Sequence, residues 1–356
     1  MTKTEKRDDR DFVTKRRLTA IDLFSGSGAV TEGLKQQHFE VLAAVDFDPI
    51  CCQTYRVNHR EVSLFEGDIR ELNPSTVRTD ISFEGAIDLL VVCAPCQPFS
   101  TQNRKRGVSD PRADLVLQSV KFVKEFSPSL IFFENVPGIA SNGPITQLRA
   151  DLAGIGYCLG DPIVIDAAAC GVPQRRERCI MVASRERGRI DRFYSTIKKH
   201  PRKTVSDAIG YLMPLKSGER DPSDPLHFSR SHHSITLERL RFIPKDGGSR
   251  SSLPLHLQLK CHENRDGDFP DVYGRMKWNS VAPTLTTGCT DLTKGRFVHP
   301  RDDRAISLRE AALLQSFPLS YTFCGNSGQI ARQIGNAVPV DMIKALSVPF
   351  RQALLE

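Results

Sequence analysis

An apolar run in the sequence stops at "VVCAPCQPFS", where Cys96 follows a proline and precedes Gln-Pro-Phe-Ser. Three chemistries fit a thiol in that setting: a nucleophile, half of a redox pair with Cys93, or an inert group at a strand end. A thiol of ordinary pKa is only slightly ionised at neutral pH, yet its thiolate is strongly nucleophilic. The Cys-Ala-Pro-Cys spacing invites a thioredoxin-like reading. Two features oppose it: no helix-starting sequence follows Cys96, and the chain of 356 residues is far longer than that fold requires.

"FFENVPG" puts Glu134 directly after apolar residues. Partial desolvation there raises a carboxyl pKa and suits the group to give or share a proton. The alternative role is to cap the next helix. "QRRERCI" supplies Gln174, Arg175, Arg176, Glu177 and Arg178. In a strand, Arg176 and Arg178 share one face, so both guanidiniums would aim at one place. A salt-bridged edge strand is the plainer reading of the same residues.

"DLFSGSGAV" is a glycine turn between a strand and a helix, where backbone can approach a ligand closely. Gly26, Gly28 and Gly33 do not complete G-x-G-x-x-G, because Thr occupies position 31. That favours an adenosine ligand without a pyrophosphate over a dinucleotide. Asp46 ends the next apolar run, where such folds hold ribose hydroxyls. Asp68 in "EGDI" ends a third run and could accept from an adenine amino group. Strand-end acids are individually common. A series of them at successive strand ends is more telling, because ligands sit at the carboxyl edge of an open parallel sheet.

The elements that must position these residues alternate from Leu18 to Val182. Candidate strands are "LTAIDLF", "VLAAVDF", "SLFEGDI", "IDLLVVCAP", "PSLIFFENV" and "ERCIMVAS". Helices are expected through "AVTEGLKQQ" and near "PICCQTYRVNH". Strands apolar on both faces, separated by helices, predict a doubly wound α/β domain with a mostly parallel sheet. Beyond Ser184 the texture turns basic and loop-rich, which predicts an inserted, irregular second domain. "SLREAALLQSF" returns to helix, with Ser307 and Glu310 in capping-box spacing and Pro318 beyond its end. "QIGNAVPVDMIKAL" gives a turn and a final helix.

The net charge is +7, compatible with a polyanionic partner. No apolar run approaches the roughly 20 residues of a membrane helix. Residues 1–17 mix both charges without an apolar h-region, so a solvated tail is expected and not a secretory signal. The ten cysteines have irregular spacing, which predicts free thiols in a reducing compartment and no zinc site.

Taken in order, "DLFSGSGAV", "PCQPFS", "FFENVPG", "QRRERCI", "VAPTLTTG" and "QIGNAVPV" resemble the DNA cytosine carbon-5 methyltransferases, over nearly the whole span from Leu18 to Val340. The resemblance implies a Rossmann-like, S-adenosylmethionine-dependent fold. It implies that Phe24, Gly26, Gly28, Asp46, Phe47, Asp68, Ile69 and Pro95 line the cofactor pocket, with Asn336 and Val338 closing it. Cys96 would be the nucleophile, and Glu134 would hold cytosine at ring nitrogen 3 and its amino group. Arg178, with Arg176 in support, would contact the base or hold the loop geometry. Residues 100–114, with Arg104, Lys105 and Arg106 near phosphate, would form a loop closing over the DNA.

The implied domains are a tail at 1–17, a catalytic domain at 18–184 completed by 329–356, a target-recognition domain at 185–300, and a hinge with a helix at 301–328. The threonines of "APTLTTGCTD" would pack the recognition domain. Ser27, Ala29 and Ala337 depart from the residues common in the family but leave backbone contacts intact. Double-stranded DNA would be the substrate of a monomeric bacterial or phage enzyme, cytoplasmic and associated with the nucleoid. A cognate restriction endonuclease would be a functional partner. The rivals are a tRNA cytosine methyltransferase on the same scaffold, whose usual Cys-Phe-Thr signature is absent here, and a catalytically silent DNA-binding member.

Overall fold

The computed structural model describes residues 17–95, 113–141, 143–259 and 271–356. Eight strands form one sheet: β1 (Leu18–Leu23), β2 (Phe39–Asp46), β3 (Ser63–Glu66), β4 (Leu89–Val92), β5 (Leu130–Asn135), β6 (Cys158–Leu159), β7 (Ile163–Asp166) and β8 (Glu177–Ser184). Their order is β3-β2-β1-β4-β5-β8-β6, with β7 also paired to β8. The first five are parallel, whereas β8 runs antiparallel to β5, β6 and β7. Every residue of β4 and β5 is buried, which requires helices on both faces.

The first half supplies α1 (Ala29–Lys35), α2 (Pro49–Asn58), α3 (Pro74–Asp80), α4 (Ser119–Phe126) and α5 (Gly143–Ala153). The second half supplies α6 (Arg187–Ser195), α7 (Val205–Ile209), α8 (Ser234–Phe242), α9 (Leu308–Leu314), α10 (Ser327–Asn336) and α11 (Val340–Leu355). One core joins Val30 and Leu34 of α1, Phe193 of α6 and Phe350 of α11 to one sheet face. The other joins Val77, Phe122, Phe126 and Leu148 to the opposite face. The doubly wound α/β reading therefore holds. Strand order reverses between β1 and β4, which opens a crevice at their carboxyl ends.

The second domain has little regular structure. One core gathers Val205, Met276, Phe297, Leu308 and Ile330, and a smaller one gathers Leu240, Ile243, Val272 and Val298. Where ladders are missing, buried arginines satisfy the backbone. Arg275 is fully buried and donates to the carbonyls of Leu240, Ile243 and His299. Arg304, also fully buried, pairs with Glu310 at 2.7 and 2.8 Å. The Ser307–Glu310 capping box forms as its spacing predicts.

α6, within the 185–300 span expected for the recognition domain, packs through Ile190 and Phe193 into the sheet's core. α10, within the 329–356 span expected to complete the catalytic domain, packs through Ile330, Ala331 and Ile334 into a core that also takes Ala29 of α1 and Val340 of α11. Apolar residues three positions apart on α6 give it a core face that its many arginines obscure. Among the described residues, no helix is long and apolar enough to cross a membrane.

Candidate active site

The site is built where backbone hydrogen bonds continue past the strand ends. Ser25 N donates to Val45 O at 3.0 Å, Gly67 N to Asp46 O at 2.9 Å, and Cys93 N to Leu23 O at 3.3 Å. These bonds hold the exits of β1 to β4 side by side. Phe24 (φ 61°), Gly26 (φ 54°) and Gly28 (φ 91°) take left-handed backbone there, so the chain turns sharply into α1. A Cβ added at Gly26 would meet open space. The turn therefore leaves a cradle at that position.

Asp46 closes one side of the cradle. Its carboxylate accepts from Gly26 N at 2.8 Å and Asp48 N at 2.9 Å. Burial pushes its pKa up, the backbone donors pull it down, and Asp48 pushes it up again. Beneath it, fully buried Asp22 accepts from the Thr31 hydroxyl at 2.8 Å. Burial raises its pKa to about 7, with Asp46 adding repulsion. This cluster of carboxylates favours a cation nearby. Phe47, beside Asp46, is 67% exposed and presents an unpacked ring. An open cradle, an acceptor carboxylate and a free aromatic face fit an adenosine-bearing sulfonium donor.

The other expected pocket residues divide. Asp68 is held by Arg70 through Nε bonds of 2.9 and 3.0 Å, which lower its pKa to about 2. In this structure its carboxylate is engaged by that side chain. Ile69 is buried in the sheet's core, as is Val338 on the opposite face. Asn336 is exposed at the end of α10, and Pro95 is half-buried beyond β4.

Cys96 lies outside the described residues, as do Arg104, Lys105, Arg106 and positions 100–112 of the expected closing loop. The segment leading to Cys96 is fixed by Asn135, whose amide donates to Ala94 O at 3.2 Å. Asn135 was not singled out from the sequence, although it follows Glu134 directly.

Glu134 ends β5 and is 6% exposed. Arg178 Nε meets its Oε1 at 2.7 Å. Burial raises the Glu134 pKa, and the charges of Arg178 and Arg176 partly oppose that shift. The carboxyl thus sits on the same sheet edge as the glycine turn, with a fixed cation against one oxygen.

Arg176 also acts on that carboxylate through its positive charge. Its guanidinium donates to Leu285 O and Gly335 O, each at 2.8 Å. Arg176 precedes β8, so strand geometry does not govern it. Gln174 completes this hub, donating to Gln315 Oε1 at 3.0 Å and accepting from Leu285 N at 2.9 Å. The first and third polar residues of "QRRER" thus pin the second domain, and the last reaches the site.

A further cleft of about 420 Å³ lies where the second domain meets this segment, lined by Arg175, Lys277 and Arg296. Arg296 pairs with Asp271 at 3.0 Å. The side chains of Arg175 and Lys277 carry no partner among the described residues.

Residues 18–348 match the family model for C-5 cytosine-specific DNA methylase. The chain is 37% identical over 348 residues to the Type II methylase M.HgiDII of Herpetosiphon aurantiacus, covering 94% of this chain and 95% of that one. It is 30% identical over 344 residues to the Type II methyltransferase M.PspPI of a Psychrobacter strain, covering 93% and 78%. In fold it resembles the S. pombe Dnmt2 methyltransferase, with a TM-score of 0.65, 20% identity, and coverage of 96% and 100%.

Proposed function

The chain belongs to the C-5 cytosine-specific DNA methylase family, and from that premise we propose how its own residues carry methylation of cytosine carbon 5 in duplex DNA. Carbon 5 is a poor nucleophile in the intact ring. Addition of the Cys96 thiolate to carbon 6 turns the ring into an enamine. Glu134 shares a proton at ring nitrogen 3 and so stabilises the charge that develops. Its raised pKa suits that task, and Arg178 holds the carboxyl in register with the base. S-adenosylmethionine would be held by the turn at Phe24–Gly28 and by Asp46 with Phe47, and would supply a sulfonium-activated methyl group to carbon 5, leaving as S-adenosylhomocysteine. Loss of the carbon 5 proton and β-elimination then release Cys96.

The base must leave the duplex to reach this edge, at a cost of a few kcal/mol. Phosphate contacts offset that cost. The Arg175 and Lys277 cleft supplies two uncommitted cations for them. The Type II relatives support a role in protecting DNA alongside a restriction endonuclease.

The observation that carries this reading is buried Glu134 paired with Arg178 on the same sheet edge as the glycine turn. The test is tritiated methyl transfer from S-adenosylmethionine to duplex DNA and to tRNA. Transfer to DNA, abolished in Cys96→Ser with cofactor binding retained, is expected. A duplex carrying 5-fluorocytosine should trap an adduct on Cys96. Transfer to tRNA alone would replace the DNA reading, and absence of the adduct would remove the covalent one.

A further inference from the structure

The glycine turn rests on two side chains that lie outside every motif the family resemblance supplied. His59 caps α2, and Tyr321 lies in the segment between α9 and α10. The Tyr321 hydroxyl donates to Ser27 O. His59 Nε2 lies 3.1 Å from Gly28 O and 3.0 Å from the Tyr321 hydroxyl oxygen. Two consecutive carbonyls of the turn are thus held by one buried pair. The fit is close: a Cβ at Gly28 would stand 2.6 Å from the His59 ring and 2.8 Å from the Tyr321 hydroxyl.

The protonation pattern follows from the neighbours. Lys35 Nζ lies 3.1 Å from His59 Nδ1. An ammonium can only donate, so Nδ1 is the acceptor and the neutral ring carries its proton on Nε2. That proton faces Gly28 O and the Tyr321 oxygen. Burial and the Lys35 charge lower the His59 pKa to about 4, so the ring is neutral at physiological pH. Lys35 is itself anchored by Glu61.

The supporting segments are tied together as well. Asn58 donates to Thr322 O at 2.8 Å and accepts from Thr322 N at 3.1 Å. Cys324 N donates to the Thr54 hydroxyl at 2.9 Å. Tyr321 packs against Phe317 and Phe323, which belong to the second domain's core. The clamp therefore links that core to the turn.

We propose that His59 and Tyr321 are positioning residues for the methyl-donor site, fixing the peptide planes at Ser27 and Gly28 so that the cradle is formed before the donor arrives. A preformed site binds more tightly because ordering costs are already met. The inference rests on the reading that this turn holds the donor, and on nothing about the cytosine chemistry.

The test uses the full-length protein with His59→Ala, His59→Gln and Tyr321→Phe. S-adenosylhomocysteine affinity is measured by calorimetry, and amide exchange is followed across residues 24–30 in the cofactor-free protein. His59→Ala is expected to weaken binding about tenfold, the worth of one lost hydrogen bond, and to speed exchange in the turn. The KM for the donor should rise in step, while kcat and the KM for DNA stay within about twofold. Gln can donate from a similar place and should restore most of the affinity, and Tyr321→Phe should behave like a milder His59→Ala.

Unchanged affinity and exchange in His59→Ala would overturn the proposal. So would a uniform loss in affinity, kcat and DNA KM with a lower melting temperature and no rescue by Gln. Asp46→Ala separates the two levels. If it leaves donor affinity intact, the assignment of the cofactor site fails; if it destroys affinity while the His59 variants bind normally, the clamp alone fails.

Discussion

At the site, a single ion pair sets what Glu134 can do. A buried carboxyl without Arg178 would hold its proton more tightly, and one with full solvation would lose it near its ordinary pKa of about 4.3. The observed arrangement lies between these limits, with burial dominant and the arginine opposing it. Glu134→Gln keeps the shape and a hydrogen bond but cannot transfer a proton, so kcat should fall about 10²-fold with donor affinity unchanged. Single-turnover methylation of a duplex measures this. Arg178→Met removes a cation that stabilises the charged form, so the Glu134 pKa must rise further. The limb of the rate–pH profile that Glu134 governs should then move to higher pH. A limb that stays in place would mean that Arg178 does not control this carboxyl.

The elements are held by contacts whose tolerance differs sharply between two glycines. Gly335, in α10, lies against the backbone of Thr286, and a Cβ there would come within 2.5 Å of the Thr286 oxygen. Two backbones meet at that point and neither can give way easily. Gly335→Ala should therefore cost about 1–3 kcal/mol, seen as a lower denaturant midpoint, because the contact carries the Arg176 hub. Gly26→Ala has free space for the methyl group, so its cost is the left-handed backbone, about 1–2 kcal/mol. That methyl would occupy the cradle, so donor affinity should suffer more than stability does. The same contrast explains what was legible in advance. Strands β1, β4, β5 and β8 announce themselves because nearly all their residues are buried and most are apolar. The two residues of β6 are too short to show a period, and β7 is only half-buried. Asp46 and Glu134 could be read as strand-end acids. His59 and Tyr321 could not be paired, because 262 positions separate them and only the tertiary fold brings them together. The backbone partners of Arg176 were not legible either, because Gln174 and Arg176 reach segments far along the chain.

For the molecule as a whole, charge acts at long range on DNA and at short range on stability. A net charge of +7 favours any polyanion, so specific contacts must be separated from the general field by salt dependence. If Arg175 and Lys277 each meet a phosphate, either alanine variant should reduce the slope of log affinity against log salt by about one. Stability tests the interior. His59 and His299 both have pKa values lowered to about 4. Between pH 4 and 6.5 each is protonated when unfolded and neutral when folded, so stability is lost as pH falls. Asp22 works in the opposite sense, because its pKa is raised to about 7. In the same window it is ionised when unfolded and protonated when folded, so stability is gained as pH falls. Asp22→Asn removes this opposing contribution and keeps an acceptor for Thr31. Stability should then depend on pH more steeply by one proton, roughly 1.4 kcal/mol per pH unit, between pH 4.5 and 6. Urea unfolding at four pH values across that window measures the slope in both proteins. The difference isolates Asp22, since every other titrating group is common to the pair. Parallel slopes would mean that the Asp22 carboxyl is ionised inside the folded protein, and the acidic cluster under the glycine turn would then carry a full additional negative charge at neutral pH.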